Sequence, residues 1–215
     1  RYGRVYRLVH KAAKPSKKPD LSTVAGQLAA LGHDNMLWRL HAQRLLVERG
    51  KTDIVPDLLK RLEDKSTDAI GLNVGAIHAL WTLHGLKAID ERMLIALKHP
   101  SAGVRRNAAL VGANTLALLP LLKDDDAQVK LAALLALAEK PANDEAGRAL
   151  AAMTPPLDDR WLMDAYIAAC AAHATAYLEA APNAPTRVAG IVAENWARGE
   201  GADAGRFFAA VAKIK

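Results

Sequence analysis

The sequence predicts an all-α chain built as an α-α superhelix, a solenoid of about five to six helical hairpins with a short extended segment in front. Three observations carry this. The chain of 215 residues is 51% hydrophobic yet only 5% aromatic, with a mean hydropathy near zero and an abundance of Ala and Leu that favours soluble helices. An apolar pattern with the spacing i, i+4, i+7, i+8 returns five times. Each return is preceded by a shorter helical stretch and a short polar turn.

The pattern begins at Trp38, Ala42, Leu45 and Leu46 and puts all four on one helical face. It returns at Leu72/Ala76/Ala79/Leu80, Val104/Ala108/Val111/Gly112, Val129/Ala133/Ala136/Leu137 and Trp161/Ala165/Ala168/Ala169, with starts 34, 32, 25 and 32 residues apart. The second slot is Ala every time: Ala42, Ala76, Ala108, Ala133 and Ala165. A small residue at a crossing lets two helices sit closer than Leu would, so the repeated alanine predicts repeated contacts of one geometry.

The partner helices follow in order. Residues 21–31 precede the first pattern and residues 53–62 the second, with Pro56 in the first turn, where proline is tolerated. Residues 90–97 precede the third, and residues 115–122 the fourth, where Pro120 should shorten or kink the helix. Residues 144–152 precede the fifth. Asp, Asn and Ser in the turns GHDN, EDKSTD, KHPS, KDDDA and TPPLDD supply acceptors for the free N–H groups of the next helix. Gly50 and Gly85 read as helix stops. Residues 185–199 and 203–215 are expected as two more helices, a degenerate sixth unit or cap. The domain division is thus 1–20, a strand-like segment and basic linker, and 21–215, the solenoid.

Asp34, Trp38-Arg39, Ala42 and Leu45-Leu46 resemble the HEAT-repeat signature, in which an Asp opens the second helix and an aromatic or β-branched residue is followed by Arg. Asp125, Val129-Lys130 and Ala133 match it well. Val104-Arg105 and Ala108 match with Pro100 in the Asp slot, Asp68 and Ala76 match with Asn73 in the Arg slot, and Trp161 with Ala165 lacks the basic residue. The resemblance implies an Asp–Arg ladder with gaps.

The first twenty residues hold seven basic side chains against Asp20, while the remaining basic and acidic residues cancel at 22 each. The helical body therefore has no net attraction for phosphate, which argues against a nucleic-acid partner. RYGRVYRLVHK alternates as a strand would and stops at the Pro/Lys/Ser linker AAKPSKKPD. Together with HDNMLWRLHAQRLLVERG, residues 3–50 resemble the junction between β-propeller and HEAT repeats in the large PVC-type membrane-bound dehydrogenase-like haem-binding proteins. That resemblance implies an excised helical middle of an exported or periplasmic redox protein. Its partner would be a propeller or cytochrome domain, or another protein, and its catalytic groups and haem would lie outside this chain. Arg at position 1 agrees with an excised piece.

The search for chemistry within the chain yields no catalytic, cofactor-binding or metal-binding residue to name. The seven histidines lack a ligand spacing, and His33 and His99 both stand in turns before a second helix. KDDDA lacks the ligand alternation of a calcium loop. Cys170 and His173 could share a helical face and are the sole nucleophile pair, although alanine-rich surroundings favour a core pair. The tryptophans allow an alternative, a HEAT-like DNA glycosylase with an exposed Trp and Asp in a basic groove. Trp38 and Trp161, however, occupy slots read as core-facing. The Lys-rich N-terminal segment could also bind an acidic surface by itself. No apolar run reaches the ~20 residues of a membrane span.

Overall fold

The structure is a computed structural model that describes residue 3, residue 6 and residues 8–14, 17–199 and 203–214. It is all-helical. The elements are α1 (Val24–Ala30), α2 (Met36–Glu48), α3 (Val55–Glu63), α4 (Val74–Gly85), a 3-10 helix (Glu91–Lys98), α5 (Ala102–Leu110), α6 (Thr115–Leu118) running into a second 3-10 helix (Leu119–Lys123), α7 (Ala127–Ala138), α8 (Asp144–Ala151), α9 (Arg160–Ala172), α10 (Ala174–Ala180), α11 (Thr186–Arg198) and α12 (Ala204–Val211). None of these helices is long and apolar enough to cross a membrane.

The helices form two layers. In the second-helix layer α2, α4, α5, α7, α9 and α11 each pack on the next, in chain order. The first-helix layer holds α1, α3, the Glu91–Lys98 turn, α6 with its 3-10 extension, α8, α10 and α12. Each member of that layer up to α10 packs on the second helix that follows it, giving six hairpins with α12 set against α10. The core lies between the layers. All five repeated alanines are buried there, at 0–3% exposure, together with Leu46, Leu58, Leu62, Leu83, Val104, Val129 and Leu137.

Local chemistry explains the boundaries. Asn35, Asn73, Asp126 and Asp159 cap α2, α4, α7 and α9 by accepting N–H groups of the first turn. Gly50 ends α2 in the left-handed region at φ 66°, which glycine adopts without a Cβ clash. Pro120 converts the end of its helix into 3-10 turns rather than kinking it. Gly85 is not a stop. It is the last residue of α4, and a Cβ there would lie 2.7 Å from Val47 Cγ2, so its smallness sets the approach of α4 to α2.

The sixth hairpin differs from expectation. Its first helix is α10, a helix the apolar pattern does not predict, and its second is α11, while α12 packs on α10 instead of pairing with α11 as the second helix of the unit. The break falls at His173 (φ −118°, ψ 34°), whose Nδ1 accepts the Asn143 N–H and whose Nε2 donates to the Leu137 carbonyl. Both partners are distant in sequence, so neither Gly nor Pro marks the break. Residues 204–211 form a final helix held by Trp196, which stacks on Phe207 with ring centroids 3.6 Å apart. In the N-terminal segment, Arg4, Val5 and Arg7 lie outside the described residues; Tyr6, Leu8 and Val9 are exposed and carry no regular structure.

Candidate interaction surface

The basic residues of the repeat stitch units together. In α2 the Arg39 guanidinium donates through NH1 to the His33 and Asp34 carbonyls, six and five residues earlier. Its Nε donates to His78 Nε2 of α4, while His78 Nδ1 donates to Gln43 Oε1 at 2.7 Å. His78 is 8% exposed, and burial, with Arg39 alongside, pushes its pKa down to about 4. Arg105 in α5 repeats the pattern: NH1 donates to the His99 and Pro100 carbonyls, again six and five residues back. Its Nε and NH2 then donate to both oxygens of Asp124, at 2.7 and 2.8 Å. This two-pronged ion pair holds the Asp124 carboxyl below its usual range and joins the third unit to the fourth.

The turn histidines do matching work. His33 Nδ1 accepts the Asn35 N–H and His99 Nδ1 accepts the Ser101 N–H; each Nε2 then donates to a carbonyl, of Lys17 and of Asp64 respectively. Asp124 takes the same role two residues before a cap, accepting the Asp126 N–H.

The acids singled out in the sequence stand elsewhere. The Asp34 and Asp125 side chains are exposed, and Asp68 accepts the N–H groups of Ile70 and Leu72 within a turn rather than opening α4. The acid that pairs with Arg105 is Asp124, one residue before the expected Asp125. Lys130, in the slot of Arg105, makes no hydrogen bond or ion pair with the described residues.

Two registers also change. Leu72 precedes the Asn73 cap and so lies outside α4. Trp161 is 71% exposed, because Asp159 caps α9 and leaves Trp161 only two residues into the helix; Leu162 turns inward instead. Trp38 is half-buried.

Cys170 and His173 do not make a nucleophile. Cys170 is fully buried beside Tyr166 and Tyr177, and burial raises its thiol to about 12. Both His173 nitrogens are engaged by backbone groups. Tyr166 donates to the Leu150 carbonyl and lies 3.2 Å from the Tyr177 hydroxyl, which completes a closed polar knot in the core.

What remains free is one face of the second-helix layer. An interior second helix has neighbours on both flanks and a first helix behind it, so its exposed residues point away from the core. These fall two, five and nine residues after the caps, a spacing that aligns them on one helical face. Exposed there are Leu37, Leu40 and Arg44 on α2; Arg106 and Leu110 on α5; Gln128 and Leu135 on α7; and Trp161, Asp164 and Ala168 on α9, while Gly103 and Leu131 at the same offsets are half-buried. On α4 the corresponding positions are rotated by one residue, to Val74, Ile77 and Trp81, all half-buried, and the Trp81 indole N–H donates to Asn107 of α5. Leu37, Leu40, Leu110, Leu135 and Trp161 are each 45–71% exposed. The opposite face, on the first helices, carries more charge, at Asp57, Lys60 and Glu63, then Glu91, Arg92 and Lys98, then Asp144, Glu145 and Arg148, and also exposes Ile95 and Leu116. The second-helix face nevertheless carries the larger apolar set, leucines and a tryptophan beside Arg44, Arg106 and Asp164, and so offers apolar area to bury in a protein interface.

No family model matches this chain, and no curated protein sequence matches it.

Proposed function

We propose that this chain is a non-catalytic HEAT-like scaffold that docks a protein along the free face of its second-helix layer. The observation that carries this reading is that Leu37/Leu40, Leu110, Leu135 and Trp161 are exposed at offsets from the caps that share one helical face in the first, third, fourth and fifth units, opposite a more charged face. The occupant it favours is a neighbouring domain of the same polypeptide, a dehydrogenase-like propeller or a cytochrome domain in an exported or periplasmic redox protein. The support for that setting is the resemblance of residues 3–50 to such a junction.

The test has two parts. The complete reading frame should encode a propeller before these residues and a Cys-x-x-Cys-His sequence after them. Those flanking segments, expressed separately, should bind this chain in trans, and Leu110→Asp with Leu135→Asp should weaken binding at least about tenfold. Unchanged binding in that double variant, with loss on charge reversal of Glu145 and Arg148, would place the interface on the other face and end the reading.

A second reading, a HEAT-like DNA glycosylase, has one observation in its favour: Trp161 and Asp164 are both exposed on the free face. Arg160 lies over the Trp161 ring at 5.7 Å and 3.8 Å from Asp164, so the local cation is already shared between them. DNA binding that falls steeply with added salt, and is lost in Trp161→Ala, would favour this reading over docking.

A further inference from the structure

The gap in the ladder at Lys130 lies on a pocket. In the third unit, Arg105 reaches across to Asp124, which stands two residues before the next cap. In the fourth unit Lys130 holds the slot of Arg105, four residues after its cap, and faces the turn before α9. There the residue two before the cap is Leu157, which cannot accept a hydrogen bond. Beside Lys130 lies a cavity of about 320 Å³ whose lining includes Lys123, Lys130, Leu134, Met153, Thr154 and Leu162; Leu157 is exposed and does not line it. Leu134 is fully buried, and Leu162 and Met153 pack on the core, so the cavity combines an apolar floor with two lysines in its lining.

The acids in the neighbourhood are largely committed. Both Asp124 oxygens are held by Arg105, Asp126 accepts the N–H groups of Gln128 and Val129, and Asp159 accepts those of Trp161 and Leu162; Asp125 and Asp158 are exposed and do not line the cavity.

We propose that this pocket binds a carboxylate carried on a short apolar stem, which supplies from a ligand the acid that Asp124 supplies to the preceding unit. The carboxylate accepts from Lys130, with Lys123 and the Thr154 hydroxyl at the rim, and the stem lies on Met153, Leu134 and Leu162. At about 30 Å³ per water-sized group the cavity holds on the order of ten non-hydrogen atoms, the size of a small aliphatic acid or of one C-terminal residue of a peptide. The proposal is independent of the docking reading, since it uses the turn between units and not the free face.

The probes are hexanoate for a free acid, N-acetyl-leucine for a polypeptide C-terminus, and hexanamide as the uncharged control. Each is titrated into the whole chain while amide nitrogen–proton correlation spectra are recorded. Binding of an acid should shift the amides of Lys130, Met153 and Thr154, and hexanamide should not. Tighter binding of N-acetyl-leucine than of hexanoate assigns a chain terminus, and the reverse order assigns a free acid. Lys130→Met should raise the Kd about tenfold or more, while Lys130→Arg should hold it within about threefold. Circular dichroism checks that both variants fold. Equal binding of hexanamide, an unchanged Kd in Lys130→Met, or no shift with either acid up to its solubility limit would overturn the proposal.

Discussion

Gly147 tests how closely the first helices stack. It sits inside α8, where a Cβ would lie 2.6 Å from Ala176 Cβ, 2.8 Å from the Tyr177 nitrogen and 3.0 Å from the Ala176 carbonyl carbon of α10. Two of those atoms are backbone, so a rotamer change cannot make room. Carbon contacts settle at about 3.5–4.0 Å, so Gly147→Ala must push α8 from α10 by about 1 Å, an overpacking that costs about 1–3 kcal/mol. The same change removes a helix-interior glycine, which gains up to about 1 kcal/mol. Gly190 in α11 isolates that gain, because a Cβ there meets nothing within 4 Å. Gly190→Ala should therefore be neutral to stabilising and Gly147→Ala destabilising, with the difference between them, about 1–3 kcal/mol, reporting the steric term alone. Urea denaturation measures the difference, and hydrogen exchange should place the loss in α8 and α10. Equal stability of the two variants would refute the close approach.

Other perturbations follow from the stitching residues. Asp124→Asn leaves the Arg105 guanidinium, only 18% exposed, without its carboxylate and should cost about 2–3 kcal/mol in denaturant unfolding. His78 is neutral in the fold with a pKa of about 4, against 6.5 unfolded, so below pH 6.5 the unfolded chain takes up the proton first. Stability should fall between pH 6.5 and 4 by about 3 kcal/mol, with buried His173 adding in the same sense, and His78→Gln should remove most of that slope. Trp196→Ala removes the stacked partner of Phe207 and should release α12, costing about 2–3 kcal/mol and deprotecting the amides of residues 204–211.

The repeat was legible wherever short-range chemistry controls it. The alanine slot, the capping turns, Gly50 and the shortened helix at Pro120 all depend on residues within a few positions of one another. The parts that were not legible depend on contacts far along the chain. The rotation of α4 comes with the Asn73 cap, which sets Leu72 outside the helix, and with His78 meeting Arg39 and Gln43 of α2. The break between α9 and α10 is held by His173 reaching Asn143 and Leu137. Trp161 was misplaced because its slot was counted from apolar spacing, whereas the Asp159 cap determines where the helix begins. The free face was visible in the sequence only as spare leucines; it becomes a surface once the caps put those leucines in one frame. Asp124 was hidden among three consecutive acids, and only the reach of Arg105 distinguishes it.

The hairpins stack in chain order, each on its immediate neighbours. Proton–proton cross-relaxation in a spectrum of the intact chain measures this most directly. Hairpins stacked in this order should give contacts from the Gly85 α-protons to the Val47 methyls, from Gly103 to the Leu72 and Ile77 methyls, and from Gly147 to the Ala176 methyl. Absence of these contacts, or strong ones between units that are not consecutive, such as α2 with α7, would contradict it.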